Sequence, residues 1–369
     1  MLYTSYSGNN TLIRTGKWLT EGGKRQMESF SVITLCDAVM PFGEQLEVML
    51  AGIRRTIQEQ GTPVFVRFFL SDPANQEAAL RGKLDFDCAV SVVGQTPLNG
   101  TKIAAMVWCR TGAQVCRAGN GMYKVSERGI DEYWFAGGLS ELEGSYNQTV
   151  ALLDRLASDL QGHGLTLEEN CVRTWLFVQN IDVNYKGVVE GRNNVFDRHG
   201  LTPDTHFIAS TGIEGRVAGH DNKVMLDAVS VSGPGVSVSY LHGVTHLNRT
   251  SQYGVRFERG TVVQYPDRRH VFISGTASID NKGQILYEND IVRQTGRMIE
   301  NVEVLLREAG CGFDDVAGMT VYLRDPSDYA VVERIFSERF PQHPRVITLA
   351  PVCRPGWLIE MECLAVMRN

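Results

Sequence analysis

Two glutamates, Glu360 and Glu362, stand two residues apart in the apolar run LIEMECLAV near the C-terminus. In a strand, residues i and i+2 share a face, so both carboxyls point the same way. Like charges held side by side push one pKa upward. A partly desolvated carboxyl in that state can donate a proton or orient a water, which is worth roughly 10²–10⁴-fold in rate. Glu360 is the candidate for that work. A solvated strand face is the competing reading for both residues. A carboxylate substrate would want the planar two-donor fork of arginine. Arg345 follows Pro344, whose ring restricts the backbone beside it, and Arg192, Arg256 and Arg259 are further clamps. Tyr185 and Tyr253 have hydroxyls to offer, although such tyrosines also serve as packing. Gly275–Thr276 and Thr211–Gly212 end strands, where backbone N–H groups can approach a ligand closely.

Other chemistries find little footing. His242 and His246 are four apart but lack an HExxH pattern or a partner ligand, so no metal site is expected. The eight cysteines form no CxxC pair and read as small buried thiols in a reducing compartment. No nucleophile elbow or phosphate loop stands out. A mechanism without cofactor or metal is the expectation.

These residues need a scaffold, and the chain offers one three times. The stretch from His270 to Asn369 passes from period-2 alternation (VFISG) to a helical stripe (Ile291, Met298, Val302, Leu305, Leu306) and on to the strand MTVYL. A second helix and a last strand complete it. The same order runs from SFSVITLCDA through the stripe Leu46, Met49, Leu50, Ile53, Ile57 to TKIAAMVW, and again from DEYWFAGGLS to KVMLDAVSV. At 369 residues two or three cores are expected, and the repeat sets the boundaries at 1–125, 126–235 and 236–369. The fold class is α+β, each unit carrying a mixed sheet with two helices on one face. Two independent α+β domains are the alternative.

Composition narrows the partners. A formal charge of -6 argues against broad nucleic-acid binding, which needs a basic face. MLYTSYSGNN is polar, without the apolar core of a signal peptide, and no apolar run approaches the roughly 20 residues of a membrane span. A cytoplasmic protein with a small-molecule partner is expected.

The C-terminal unit resembles the RidA/YjgF superfamily, small trimeric proteins that hydrolyse enamines and imines. The blocks that carry the resemblance are ISGTASI, DIVRQTGRMIENVEVLLREAG, DDVAGMTVYLRDPSDYAVV, PRV and LIEMECLAV. The resemblance implies that Arg345 binds a substrate carboxylate and that Glu360 acts on the reacting centre. It places Thr276 and Ala277 of SGTASI near the substrate, and has Ile347 where relatives often carry a cysteine. It also implies chorismate-mutase-like units arranged as an intrachain pseudo-trimer, with sites between units. The first two units read as degenerate, with Ala104 or Lys102 and then Met225 in place of the glutamate, and with His206 in place of the arginine.

A narrower resemblance, to the chorismatase branch, rests on NYKGVVEGRNNVF, IASTGIEG, QYGVRFERG and VCRPGWLIEME. It adds Cys353 to the site and points to the segments 184–196 and 252–260 as the missing wall. VRFERGT and YLHGVTHLN depart from that branch's usual pattern. The implied function is a cofactor-independent hydrolase of a small unsaturated carboxylate, with enol-pyruvyl ether cleavage as its specific form. An enamine/imine deaminase and a non-catalytic metabolite binder are the alternatives. The chain acts as a monomeric pseudo-trimer or as a homo-oligomer.

Overall fold

The structure, a computed structural model, describes residues 1–19, 26–119 and 121–369, apart from the side chains of Gln26, Gln252 and Tyr253. Its first part runs β1 (Leu2–Gly8), β2 (Thr11–Leu19), β3 (Gln26–Leu35), α1 (Phe42–Gln60), β4 (Thr62–Leu70), α2 (Pro73–Arg81), β5 (Ala89–Val93), β6 (Thr96–Pro97) and β7 (Ile103–Arg110). The second runs β8 (Gln114–Gly119), β9 (Met122–Glu127), β10 (Ile130–Gly138), α3 (Ser145–Gly162), α4 (Leu167–Asn170), β11 (Cys171–Val178), α5 (Ile181–Arg198), β12 (Ala209–Glu214) and β13 (Val224–Ser232). The third runs β14 (Ser237–Leu241), β15 (Gly260–Gln264), β16 (Arg268–Ala277), α6 (Ile291–Glu308), β17 (Val316–Leu323), α7 (Tyr329–Arg339), β18 (Arg345–Leu349) and β19 (Ile359–Arg368).

Three sheets result, ordered β1-β2-β3-β7-β4-β5, β12-β11-β13-β10-β9-β8 and β14-β15-β16-β19-β17-β18-β6. In each, the last long strand returns to the middle, and one parallel pair (β4/β5, β11/β12, β17/β18) lies beside antiparallel neighbours. That is the same mixed sheet made three times.

Two differences from the sequence reading stand out. Strand β9 pairs with β10 and β8 with β9, both in the second sheet, so the sheet boundary falls before Gln114 and not at 125/126. The hairpin β1–β2 lies ahead of the first expected strand, turning at Asn9 and Asn10, both at positive φ (50° and 61°). Its alternation is polar, and β1 buries no residue fully, so hydrophobic periodicity could not reveal it. The Asn-Asn pair was the available signal.

The helices of each part cover one sheet face through an apolar stripe, as with Leu46, Met49, Leu50 and Ile53 of α1. The other faces turn inward and meet. Phe65 stacks on Trp134 with ring centroids 4.8 Å apart, and Trp108 meets Trp134 edge-on at 5.0 Å, so two rings of the first sheet close on one ring of the second. Each such side chain taken from water is worth about 1.5–3 kcal/mol, and no single sheet could bury this face alone. Buried ion pairs cap the apolar belt. At one end Glu28 lies 3.4 Å from the Arg110 guanidinium and 3.0 Å from the His270 ring, while Arg110 donates to Glu132 at 2.8 Å, so all three sheets contribute. At the other end Arg67 pairs with Asp227 at 2.8 Å and Arg173 with Glu362 at 2.7 Å.

Three short seams close the ring: Thr348 and Leu349 pair with Pro97 and Thr96, Gly94 with Arg216, and Ile213 with Val352. The chain is thus an α+β pseudo-trimer folded from one polypeptide. Among the described residues, no helix is long and apolar enough to cross a membrane.

Candidate functional site between the second and third sheets

Glu360 enters on β19 opposite Ala277 of β16 and Tyr322 of β17. Its strand mate Glu362 shares the inward face but meets different surroundings. Arg173 Nη2 donates to Glu362 Oε2 at 2.7 Å, Thr211 Oγ1 donates to the same oxygen at 2.6 Å, and Trp175 Nε1 donates to Oε1 at 2.9 Å. Glu360 is equally buried, at 5% exposure, yet receives no hydrogen bond among the described residues. Burial, with the charge of Glu362 adding to it, pushes the Glu360 carboxyl up to about 8 against the pull of Arg173 and Arg259. The two glutamates are therefore unlike: Glu362 is paired with Arg173, while Glu360 is pushed toward the neutral acid.

Glu360 opens on a cavity of about 440 Å³ whose wall is divided between two parts of the chain. Helix α5 supplies Tyr185 and Arg192, β12 supplies Thr211 and Gly212, and the third part supplies Phe257, Arg259, Ala277, Cys353, Arg354 and Trp357. The stripe Val188, Arg192, Val195, Phe196 explains the entry of Arg192: an arginine at helical spacing within apolar positions is carried to the buried side. The Arg192 and Arg259 guanidiniums lie 5.8 and 5.4 Å from the Phe257 ring, which gives two like charges an aromatic support.

A bulge shapes the floor. Pairing between β16 and β19 shifts between Ile273 and Thr276, and the freed Gly275 N–H donates to Thr211 Oγ1 at 2.9 Å. Bulges re-aim side chains where a regular ladder would not. A β carbon on Gly275 would overlap Glu360 Oε1 and lie 3.1 Å from Thr211 Cγ2. Gly275→Ala should thus swing the Glu360 carboxylate aside, because the end of a flexible side chain yields before backbone does. The expected result is at least a tenfold loss of kcat with thermal stability close to wild type, checked by steady-state kinetics beside calorimetry.

Cys353 and Tyr185 adjoin Glu360. Burial pushes the Cys353 thiol up to about 12, with the Glu360 charge contributing, and burial likewise raises the Tyr185 hydroxyl well above its ordinary value. Both stay protonated near neutrality, so Cys353 is poorly suited to nucleophilic attack.

The structure separates some residues that the sequence put together. Arg345 does not line this cavity; it lies in another, between the first and third parts, and donates to Phe340 O, Glu333 Oε1 and Ser337 Oγ at 2.9, 2.7 and 2.7 Å. The fifteen-residue spacing carries Arg345 to β18 and Glu360 to β19, with β17 between them. Arg256 also stays outside the wall, donating to Asn193 O and pairing with Asp197. Thr276 pairs with Met361, one step out of phase with Glu360, and its hydroxyl returns to Ser274 O at 2.9 Å. Arg192, Ala277, Cys353, Tyr185 and Thr211 do come together around Glu360, and the Tyr253 side chain lies outside the described residues. His206 is stacked on Tyr240, centroids 4.4 Å apart, and is absent from the wall. Arg173, Arg354 and Trp357 were not foreseen, and Phe257 only as part of the segment 252–260. Arg173 had a signal: a cation inside CVRTWLFV, a strand buried along its whole length, must have a buried partner.

Known proteins place this arrangement. The endoribonuclease L-PSP family matches residues 260–367. A RutC family protein of Pyrococcus abyssi is 37% identical over 97 residues, which are 26% of this chain and 76% of that protein. The 3-aminoacrylate deaminase RutC of Acinetobacter baylyi is 28% identical over 97 residues, 26% of this chain and 77% of its own length. A crystal structure of a chorismatase superposes with a TM-score of 0.66 at 19% identity, covering 82% of this chain and 93% of that one. The chain belongs to the RidA/YjgF superfamily through its C-terminal third, and over most of its length it has the fold of a chorismatase.

Proposed function

We propose that the chain is a cofactor-independent hydrolase acting on a small unsaturated carboxylate in the cavity around Glu360. The observation that carries this reading is the Glu360 carboxyl: buried, without a hydrogen-bond donor among the described residues, and kept protonated to about 8. An electron-rich C=C must accept a proton at carbon before water can add. A neutral carboxyl inside a desolvated pocket is suited to that step. Arg192 and Arg259 take the carboxylate-binding part expected of Arg345, since they share the wall with Glu360. Ala104 and Met225, in the places of the glutamate, are buried apolar residues. One site per chain is the consequence, and the two parts that form it belong to a single polypeptide.

For an enol-pyruvyl ether, the Glu360 proton would go to the terminal methylene carbon and leave an oxocarbenium ion stabilised by the ether oxygen. Water adds to the carbon that bears the ether oxygen, and its released proton returns to Glu360. The hemiketal then breaks its C–O bond to release pyruvate and an alcohol. The fold shared with a chorismatase supports this form. A second reading, hydrolysis of an enamine by way of its iminium ion with loss of ammonia, is favoured by the relationship to a 3-aminoacrylate deaminase. Incubation with chorismate, and separately with 2-aminoacrylate generated in situ, divides them. Pyruvate without ammonia from chorismate supports the first, and ammonia released faster than in the enzyme-free control supports the second. Tight binding of either without turnover would replace both with a metabolite-binding role. Cytoplasmic placement belongs to the same reading and rests on eight unpaired thiols.

The acid has to be protonated to act, so kcat/KM should decline as pH rises through about 8, approaching tenfold per pH unit beyond it. A profile flat from 6 to 10 would remove Glu360 as the proton donor.

A further inference from the structure

Among the described residues, the first part of the chain adds nothing to the wall of the Glu360 cavity, yet it reaches into the charges behind that wall. The pairing registers show how. Ala104, Met225 and Glu360 stand opposite Phe69, Phe177 and Tyr322, so Met106, Asp227 and Glu362, two residues further along the same strands, occupy corresponding places in the three sheets. Opposite them stand Arg67, Trp175 and Thr320. The second and third sheets thus each bring a buried carboxyl to this level, while the first brings a methionine and, across from it, an arginine.

Arg67 reaches both carboxyls. Its Nη2 donates to Asp227 Oδ2 at 2.8 Å, and its Nη1 lies 3.8 Å from Glu362 Oε1. Asp227 Oδ1 accepts from the Gly137 N–H at 2.7 Å, and Glu362 Oε2 accepts from Arg173 and Thr211. The Arg67 and Arg173 guanidiniums both lie against the Trp175 ring, 4.7 and 4.6 Å from its centroid, and the indole N–H donates to Glu362 Oε1. Two arginines and two carboxyls from three sheets form one buried cluster whose formal charges cancel. Glu360 borders it, two residues from Glu362 on the same strand face.

We propose that Arg67 is a positioning residue for the Glu360 site: from a sheet that adds nothing to the cavity wall, it holds Glu362 and balances the charge beside the acid. This role rests on the reading of Glu360 as the proton donor. Removing Arg67 leaves an excess negative charge next to Glu360, which favours the neutral acid; removing the Asp227 carboxyl leaves an excess positive charge, which favours the carboxylate. Buried charges are weakly screened, so the effect carries across the seam. The other groups that face Glu360 are Arg259, Cys353 and Arg354 of the third part and Arg173, Tyr185 and Arg192 of the second, with Lys186 and Glu190 further along the same wall. Tyr322, beside Glu362 and both arginines of the cluster, keeps its proton through burial and adds no charge.

The test reads the Glu360 carboxyl directly, by pH titration of its infrared C=O band in the full chain, with Glu360→Gln identifying the band. Arg67→Gln is expected to raise the midpoint by about half a pH unit or more, and Asp227→Asn to lower it by a similar amount. The double variant makes the cluster neutral again and should return to the wild-type midpoint. Loosened packing alone would move both single variants the same way. Shifts of one sign, no shift, or a double variant displaced further than either single one would overturn the proposal. If Arg67→Gln fails to fold, Asp227→Asn and the double variant still decide, since the first must lower the midpoint and the second must restore it. A wild-type midpoint in the ordinary carboxylate range would count against Glu360 as the acid, whereas the displacements, read from wherever that midpoint lies, decide the role of Arg67.

Discussion

Glu360→Gln is expected to lower kcat by about 10²–10⁴-fold on whichever unsaturated carboxylate proves to be turned over, with little change in KM. The amide keeps the size of the carboxyl and can still hydrogen-bond a water, but it has no proton to give at neutral pH. The fold should survive. Glu360 makes no hydrogen bond among the described residues that the amide would lose, and its folded pKa of about 8 lies above the ordinary 4.5. Between those values the folded chain holds a proton that the unfolded chain has released. The contribution of this group to stability is therefore complete below about 4.5 and is lost as pH rises through about 8. Denaturant unfolding of wild type and Glu360→Gln from pH 5 to 9 should show that decline in the wild type and its absence from the variant. Full turnover by Glu360→Gln would end the assignment. A pH dependence of stability identical in both proteins would show that the carboxyl is not perturbed.

Arg173→Met should cost about 3–5 kcal/mol of stability. It leaves Glu362 buried at 5% exposure with Trp175 and Thr211 as donors and with the nearest remaining cation, Arg67, at 3.8 Å. The cost arises from the stranded anion more than from the absent contact. Glu362→Leu on the same background should recover part of it, because two apolar residues in place of a buried pair are often close to neutral. The measurement is a double-mutant cycle by urea unfolding, and a single variant within about 1 kcal/mol of wild type would contradict the expectation. A functional readout accompanies it. Thr211 and Glu362 are both anchored by Arg173, so losing it disturbs the wall beside Gly275 and removes one of the two cations that pull the Glu360 carboxyl down against its burial.

Much of the architecture was legible because amphipathic periodicity is a local property. The stripes of α1, α3 and α6 and the apolar strands between them repeat in the same order, and the structure keeps that order in all three sheets. The β1–β2 hairpin and the placement of β8 and β9 were not legible, since edge strands with polar or sparse alternation carry little signal. The site divides in the same way. Glu360 with Glu362, and the segments 184–196 and 252–260, could be picked out from residue types and resemblance, and the structure places residues of both segments around Glu360.

By itself, the sequence determined which residues are acidic, basic or apolar, which run as strand or helix, and that one unit pattern recurs. Only the tertiary structure decided which of them share a cavity. A spacing of fifteen along the chain says nothing about the strand that β17 interposes between Arg345 and Glu360, nor about the ring closure that brings α5 of the second part onto β19 of the third. It also decided how two neighbouring glutamates differ. Their side chains share a strand face, but donors from another part of the chain reach Glu362 and leave Glu360 as the acid, because desolvation and charge pairing are set by what packs across the seam.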